Sequence, residues 1–453
     1  MQVAGVELNG ARVLVVGLAR SGVAAAGLLS LHGARVTAAD SRPLAQIPGA
    51  PEALRTIGAA FMAQFDGAAQ GHSLVVISPG VPIDAPVLVQ ARQAGIPVIA
   101  EVELASYFLA GPIIGITGSN GKTTTTSLVG HILRASGIAV QVGGNIGMPP
   151  SAMAASSRPG QWNVLELSSF QLEAVSHFRA HIGVCLNLTP DHLDRHGSME
   201  VYAGAKRRLF ETQDETGFAV LNADDPWCVS YAAVMPSRPL WFSLSRPVDP
   251  GLWLERGRLL FDGEPFLEAA AIPLRGLHNV ENVLAAAGAA RLAGASLEQI
   301  AAAVKTFPGV EHRLERVRML HGVEYFNDSK ATNVDAALKA VEAFPGGGLW
   351  VILGGKDKGS DYRPLRGPLA AKARAVLLIG EASDKIAGQL EGAVPLVHCG
   401  AISEAVRHAH SHAKQNEVVL LAPACASFDQ FDNFEHRGRV FRDLVLGLNG
   451  RAA

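Results

Sequence analysis

The chain has little of what staples, anchors or charges a protein. Its 453 residues hold four cysteines, Cys185, Cys228, Cys399 and Cys425. They are far apart and form no C-x-x-C, so neither a disulfide framework nor a cysteine zinc knot is expected, and buried thiols in a reducing cytoplasm are. Charge of one sign is missing as well: 39 basic against 41 acidic residues leave a net charge of -2. No basic field argues for nucleic acid or an anionic membrane. No apolar run approaches the ~20 residues of a membrane helix. The first residues lack the basic-then-apolar order of a secretory leader, so none is expected. There is no internal repeat, no low-complexity tail and no H-E-x-x-H. What remains is 48 % hydrophobic and 18 % charged residues, the composition of a globular protein of about three domains at ~150 residues each.

Short apolar runs alternate with alanine-rich helical stretches throughout. This is the βαβ pattern, so the expected class is α/β with parallel sheets. Three units are read, over residues 1–100, 101–309 and 310–453. In the first, a strand at 12–16 runs into Gly17-Leu18-Ala19-Arg20-Ser21-Gly22, a second at 35–39 ends at Asp40, and a third at 74–77 ends in Ser78-Pro79-Gly80. The pattern is close to a dinucleotide fingerprint, with an acid ~20 residues after the glycines for a ribose. Ala19 at the middle glycine keeps a pyrophosphate further away, which favours another nucleotide-like ligand over NAD at this sheet edge. A nicotinamide-dependent oxidoreductase is the competing class.

The second unit carries Gly118-Ser119-Asn120-Gly121-Lys122-Thr123-Thr124 between an apolar run at 112–116 and a helix expected at 124–135. Glycines let backbone N–H groups turn toward phosphate oxygens, and a helix N-terminus adds partial positive charge. Lys122 would meet the β/γ-phosphates and Thr123 a Mg²⁺ ion. The spacing departs from the usual phosphate loop, with Ile116 where the first glycine stands. Glu166, near the end of a strand at 163–167, suits the acidic metal ligand of an NTPase. The run from Cys185 to His196 follows an apolar strand with ligand-capable side chains; His192 and His196 are spaced i, i+4. Asn279 and Asn282, on one face of a helix, could read an adenine or bridge to phosphate, or serve as a cap and a surface residue. In the third unit, strands at 323–326, 349–353 and 418–421 each lead into a polar loop, so a ligand crevice is expected along one sheet edge. By its own residues Lys206 reads as a surface lysine beside Arg207 and Arg208.

Together these segments resemble the Mur ligases, the ATP-dependent enzymes that build the peptidoglycan stem peptide. The motifs are GSNGKT at 118–123, LELSSFQL at 165–172, NLTPDHLDRH at 187–196, Lys206 after Tyr202-Ala203-Gly204-Ala205, GLHNVEN at 276–282, HRLE at 312–315 and NDSKATN at 327–333. Several also occur in folylpolyglutamate synthases, the nearest alternative, which lack the Rossmann-like first domain. The stretch Ala426-Ser427-Phe428-Asp429-Gln430-Phe431 with Asn433-Phe434-Glu435-His436-Arg437-Gly438 resembles the D-glutamate-adding members. Lys356-Asp357 in the glycine loop of the third unit is a departure from the family pattern.

The resemblance implies a Rossmann-like UDP-binding domain, a central P-loop ATPase-like domain and a C-terminal Rossmann-like domain. It implies ATP and two Mg²⁺ ions as cofactors, and UDP-N-acetylmuramoyl-L-alanine and D-glutamate as substrates. A cytoplasmic monomer without nucleic-acid or membrane partners is expected. Gly118, Asn120, Gly121, Lys122, Thr123 and Thr124 would hold the ATP phosphates and the first ion, with Glu166 on that ion. His192 and a carbamylated Lys206 would serve the second. Two such ions ~4 Å apart repel by roughly 16 kcal/mol at an effective dielectric of ~20, which anionic ligands must offset. Asn279 and Asn282 would contact adenine, Arg313 and Asp328 the ribose and phosphates, and Lys330 the γ-phosphate. Arg20, Ser21, Asp40, Arg42, Ser78, Gly80, Asn145 and His192 would hold the UDP substrate. Thr332, Lys358, Ser427, Phe428 and Phe434 would hold D-glutamate. Catalysis would close the third domain on the second, with a hinge near Pro308-Gly309.

Overall fold

Among the described residues, three large open sheets and a two-stranded ribbon of Gln2–Val3 with Val6–Glu7 carry the chain, and the inner strands of each large sheet end in polar loops. The structure, a computed structural model, describes residues 1–63, 67–344 and 346–449. The first sheet has five parallel strands in the order Ala60–Ala63, Arg35–Asp40, Arg12–Val16, Leu74–Ile77, Val98–Ala100. Arg12–Val16 is flanked by the strands that follow it in opposite directions, so the loops after it and after Leu74–Ile77 face a topological switch point.

The second sheet has nine strands, ordered Glu264–Glu268, Arg258–Phe261, Gly251–Glu255, Arg238–Ser243, Phe218–Asn222, Ile182–Cys185, Ile113–Thr117, Trp162–Glu166, Val140–Gly144. The last seven run parallel, and the first three form an antiparallel edge. Ile113–Thr117 is buried at all five positions, as a parallel strand covered on both faces must be. Register sets Glu166 opposite Ile116 and Cys185 opposite Thr117, so the loops after these three strands begin side by side. Helix Lys122–Ala135 starts two residues before the expected position, because Gly121 turns the chain in the left-handed region at φ 85°.

The third sheet has six strands, ordered Glu315–Leu320, Val323–Asn327, Val418–Leu421, Leu349–Gly354, Ala373–Ile379, Leu396–Gly400. All pairs are parallel except the first. The three strands expected to share a crevice are therefore adjacent.

The chain groups into two compact units: Met1–Ala271 with Glu281–Thr306, and Ile272–Val280 with Phe307–Ala453. The first unit holds the five- and nine-stranded sheets, whose facing sides share one apolar cluster that includes Val75, Val102, Leu172 and Phe178. The second holds the six-stranded sheet between an apolar layer around Phe326, Leu353 and Tyr362 and another around Ile352, Val406 and Phe441. Among the described residues no helix is long and apolar enough to cross a membrane.

Candidate functional site

The loop at 118–121 is held from below by its neighbours. Ser119 donates its hydroxyl to the Thr189 carbonyl at 2.9 Å and lies 2.9 Å from the Tyr202 hydroxyl. The Asn120 amide donates to Asn187 Oδ1 at 2.9 Å. Gly118 and Gly121 both have positive φ, and a Cβ at 121 would collide with Asn282 Oδ1. Thr125 also reaches that oxygen at 3.4 Å. Thr123 and Thr124 are buried at the start of the helix. The backbone is thus fixed by contacts with Asn187, Thr189, Tyr202 and Asn282, from three other segments.

Two lysines converge on this loop. Lys122 Nζ donates to the carbonyls of Gly118 and Ser119 at 2.9 and 2.8 Å. Lys206 Nζ donates to the same Gly118 carbonyl at 2.9 Å and lies 3.4 Å from Thr117 Oγ1. The surface reading of Lys206 is wrong. Helix Met199–Glu211, capped by Ser198, buries Tyr202, Ala203, Ala205, Lys206, Leu209 and Phe210 along one side, and Lys206 is 1 % exposed. Burial, then the charge of Lys122, bring its amine down to about 7.

Glu166 is buried at its strand end and accepts from Asn145 Nδ2 at 3.0 Å. The Asn145 amide donates to the Glu166 carbonyl at 2.9 Å, and Arg20 donates to the carbonyl of Gly147 in the same loop. His192 has φ 54° at the head of the short helix Leu193–His196. Burial lowers its pKa against the pull of Asp191, 3.6 Å away. His196 is no partner to it. That ring is buried with Nε2 3.0 Å from Ser169 Oγ and Nδ1 3.2 Å from Glu173, and among the described residues no group of three or more His, Cys, Asp or Glu could hold a metal. Arg195 donates to the Pro79 and Val81 carbonyls at 3.0 Å and to Glu173 at 2.6 Å. It thereby ties the turn after Leu74–Ile77 to the segment bearing His192.

At the first sheet, Asp40 spends its carboxylate on the loops themselves. Burial opposes its ionisation, but Arg42, the Leu18 amide at 2.8 Å and the Arg42 amide at 3.0 Å outweigh that and hold its pKa below the usual range. Ser78 donates to the Gly17 carbonyl at 2.7 Å. Arg20, Arg42 and Gly80 are exposed beside them, and Ser21 is half-buried.

In the second unit, Asp328 follows strand Val323–Asn327. Burial pushes its carboxyl up to about 6 against the opposing charges of Arg313 and Lys330. Arg313 Nε is buried without a hydrogen-bond partner, the kind of donor an anionic guest would satisfy. Lys330 Nζ lies 5.3 Å from the Phe434 ring centre. Thr332 is half-buried, Lys358 and Phe428 are exposed, and Ser427 is buried. Asn279 donates to the Arg275 carbonyl at 2.7 Å and pairs with His278 Nε2 at 3.1 Å; burial lowers that imidazole to about 4, so it is neutral and can accept.

Arg437 lies on helix Phe434–Leu446. It is fully buried and donates to Ser329 Oγ and O at 3.0 and 2.8 Å and to the Cys425 and Ala426 carbonyls at 3.1 and 3.2 Å. The signal for it lies in helix Phe434–Leu446, whose buried positions are Arg437, Gly438, Phe441 and Val445: an arginine on the apolar stripe needs partners inside.

Two lysines at a glycine loop that opens a helix, with a buried carboxylate on the neighbouring strand, suit a nucleotide-using enzyme. Three family models match in order: the MurD-like N-terminal domain of Mur ligases over residues 11–100, the Mur ligase middle domain over 116–290, and the Mur ligase glutamate ligase domain over 312–425. The chain belongs to the Mur ligase family, whose members are ATP-dependent, Mg²⁺-using, amide-forming ligases. The UDP-N-acetylmuramoylalanine–D-glutamate ligase of Solibacter usitatus is 59 % identical, covering 98 % of this chain and 99 % of its own. The enzyme of that name from Geobacillus kaustophilus is 42 % identical over 96 % and 98 %. Among solved structures, a pseudomurein peptide ligase type C from Methanothermus fervidus matches at TM-score 0.62 and 20 % identity over 97 % and 100 % of the two chains. The UDP-N-acetylmuramate–alanine ligase of Thermotoga maritima matches at 0.62 and 19 % over 96 % and 99 %. These two establish the fold alone.

Proposed function

We propose that this ligase joins D-glutamate to UDP-N-acetylmuramoyl-L-alanine, acting in the cytoplasm as a monomer on small-molecule substrates. The observation that carries the reading is full-length identity of 59 % to a relative bearing that activity's name. We assign residues 1–100 to the UDP substrate, 101–309 to ATP and 310–453 to the amino acid. A carboxylate does not accept an amine at neutral pH, so it is first phosphorylated by ATP, and the amine then displaces phosphate through a tetrahedral intermediate. The protein must align these groups, neutralise charge and exclude water.

The donor set of the first unit fits a nucleotide triphosphate with metal. Two amines share one carbonyl, Gly118 O, at 2.9 Å each, beside a buried carboxylate and buried threonine hydroxyls. Mg²⁺, when bound, supplies neutralisation of phosphate charge. Thr123, Glu166, His192 and carbamylated Lys206 would hold two ions. Lys206 suits carbamylation because an amine near neutrality carries a free electron pair for CO₂, and the product turns a crowding cation into an anion with two oxygens. Lys122, Gly118, Asn120, Gly121 and Thr124 would orient the phosphates, with Asn279, Asn282, Arg313, Asp328 and Lys330 completing the ATP contacts. Arg20, Ser21, Asp40, Arg42, Ser78, Gly80, Asn145 and His192 serve the UDP substrate. Thr332, Lys358, Ser427, Phe428 and Phe434 serve D-glutamate. Asp40 acts mainly by holding the loop in shape.

The test is phosphate release from ATP with UDP-N-acetylmuramoyl-L-alanine present. Release is expected with D-glutamate and not with L-glutamate or meso-diaminopimelate. Release that needs a different amino acid overturns the substrate assignment.

A further inference from the structure

The departure Lys356-Asp357 has a structural account. Asp357 is half-buried, and its carboxylate is taken up by a chain of bonds that leads into the sheet. The hydroxyl of Tyr362, a fully buried residue, donates to Asp357 Oδ1 at 2.9 Å. Having one proton, that hydroxyl then accepts from the buried Cys425 thiol, 3.0 Å away. The Ser360 amide also donates to Asp357 Oδ1 at 3.2 Å, and Lys385 Nζ to Oδ2 at 2.7 Å. The Lys356 amide donates to the Ala426 carbonyl at 2.9 Å. One chain of bonds thus joins the loop bearing Lys358 to the segment bearing Ser427 and Phe428.

We infer that Asp357 and Tyr362 are positioning residues for the amino-acid substrate, holding the Lys358 loop and the 425–428 segment at a fixed spacing. The inference rests on the proposed function, in which Lys358 meets the side-chain carboxylate of a dicarboxylic amino acid. A bare carboxylate next to Lys358 would repel such a substrate. Lys385 neutralises it, so Asp357 fixes the loop without cancelling the attraction of Lys358.

The experiment measures the three substrate KM values for Asp357→Ala, Tyr362→Phe and Asp357→Asn, with melting curves. Losing a hydrogen bond to a charged group at the loop raises the KM for D-glutamate by about tenfold in the first two variants. The KM values for ATP and the UDP substrate stay within about twofold, because those contacts are made elsewhere. Asp357→Asn keeps the acceptor oxygen and recovers most of the affinity. An unchanged D-glutamate KM in Asp357→Ala and Tyr362→Phe, or an equal rise for all three substrates, overturns the inference. Tyr362→Phe removes a single oxygen and carries the test if Asp357→Ala fails to fold. The wild-type enzyme's requirement for D-glutamate, measured alongside, tests the functional assignment separately.

Discussion

Replacing Arg437 by methionine should cost the second unit more than any surface change. The guanidinium makes four hydrogen bonds to Ser329, Cys425 and Ala426. Burial lowers its pKa to about 10, so it is charged at pH 7. Bonds from a charged donor contribute roughly 1.5–3 kcal/mol each, so about 6–12 kcal/mol gross. Taking the charge out of water costs several kcal/mol of that. Methionine fills much of the volume but strips the Ser329 and Cys425 carbonyls of the Arg437 donor, while the Ala426 carbonyl keeps the Lys356 amide. A net loss of ~3–5 kcal/mol follows, in line with breaking other buried charge networks. For a unit of this size that is a fall of roughly 10 °C in the melting temperature. Calorimetry of the full chain reads the transition, and hydrogen exchange locates it: amides at 329 and 424–427 should lose protection first. A variant that melts within about 2 °C of the wild type would refute the reasoning, since the four bonds would then contribute almost nothing net.

Lys206→Ala should nearly abolish ligation, and a small added carboxylic acid should restore part of it by supplying the missing oxygens; full activity without rescue would sink the carbamate role. Asp328 makes a pH-dependent prediction. Its folded carboxyl titrates near 6 against the ordinary 3.8, so between these values the folded state keeps a proton that the unfolded state has released. Stability must therefore fall as pH rises from about 4 to 6, by up to ~3 kcal/mol. Asp328→Asn lacks this loss, so in ligand-free protein its stability relative to wild type should improve over that window. A difference that stays constant between pH 4 and 7, followed by denaturant unfolding, would count against a buried, poorly compensated acid.

The strands were legible because each is a short β-branched run covered on both faces. Arg12–Val16, Leu74–Ile77 and Val418–Leu421 fall where the apolar runs place them. The glycine loop was legible for a related reason: glycines at 118 and 121 are needed where neighbours press on the backbone, and both have positive φ. Lys206 was not legible from its own residues. Flanked by two arginines, it has the local look of a solvated helix face, and only the position of Tyr202, Leu209 and Phe210 on the same buried side reverses that. The motif resemblance, not periodicity, singled it out.

What sequence cannot separate is a side chain that binds a ligand from one that shapes the loop around it. Both are polar, both follow a strand, and both stand at the same sheet edge. Asp40, His196, Asn279 and Asp357 all have the look of ligand-facing residues, yet each is engaged within the fold: Asp40 with Arg42 and Leu18, His196 with Ser169 and Glu173, Asn279 with Arg275 and His278, and Asp357 with Tyr362 and Lys385. The physical distinction is the fate of each donor and acceptor. A buried polar group must be paired, so one already paired by its own loop serves shape first. An orphan such as Arg313 Nε marks a place where a substrate can complete the count. Loops rich in polar residues are thus of two kinds at one edge, and the ones that keep spare donors are where ligand chemistry has room to occur.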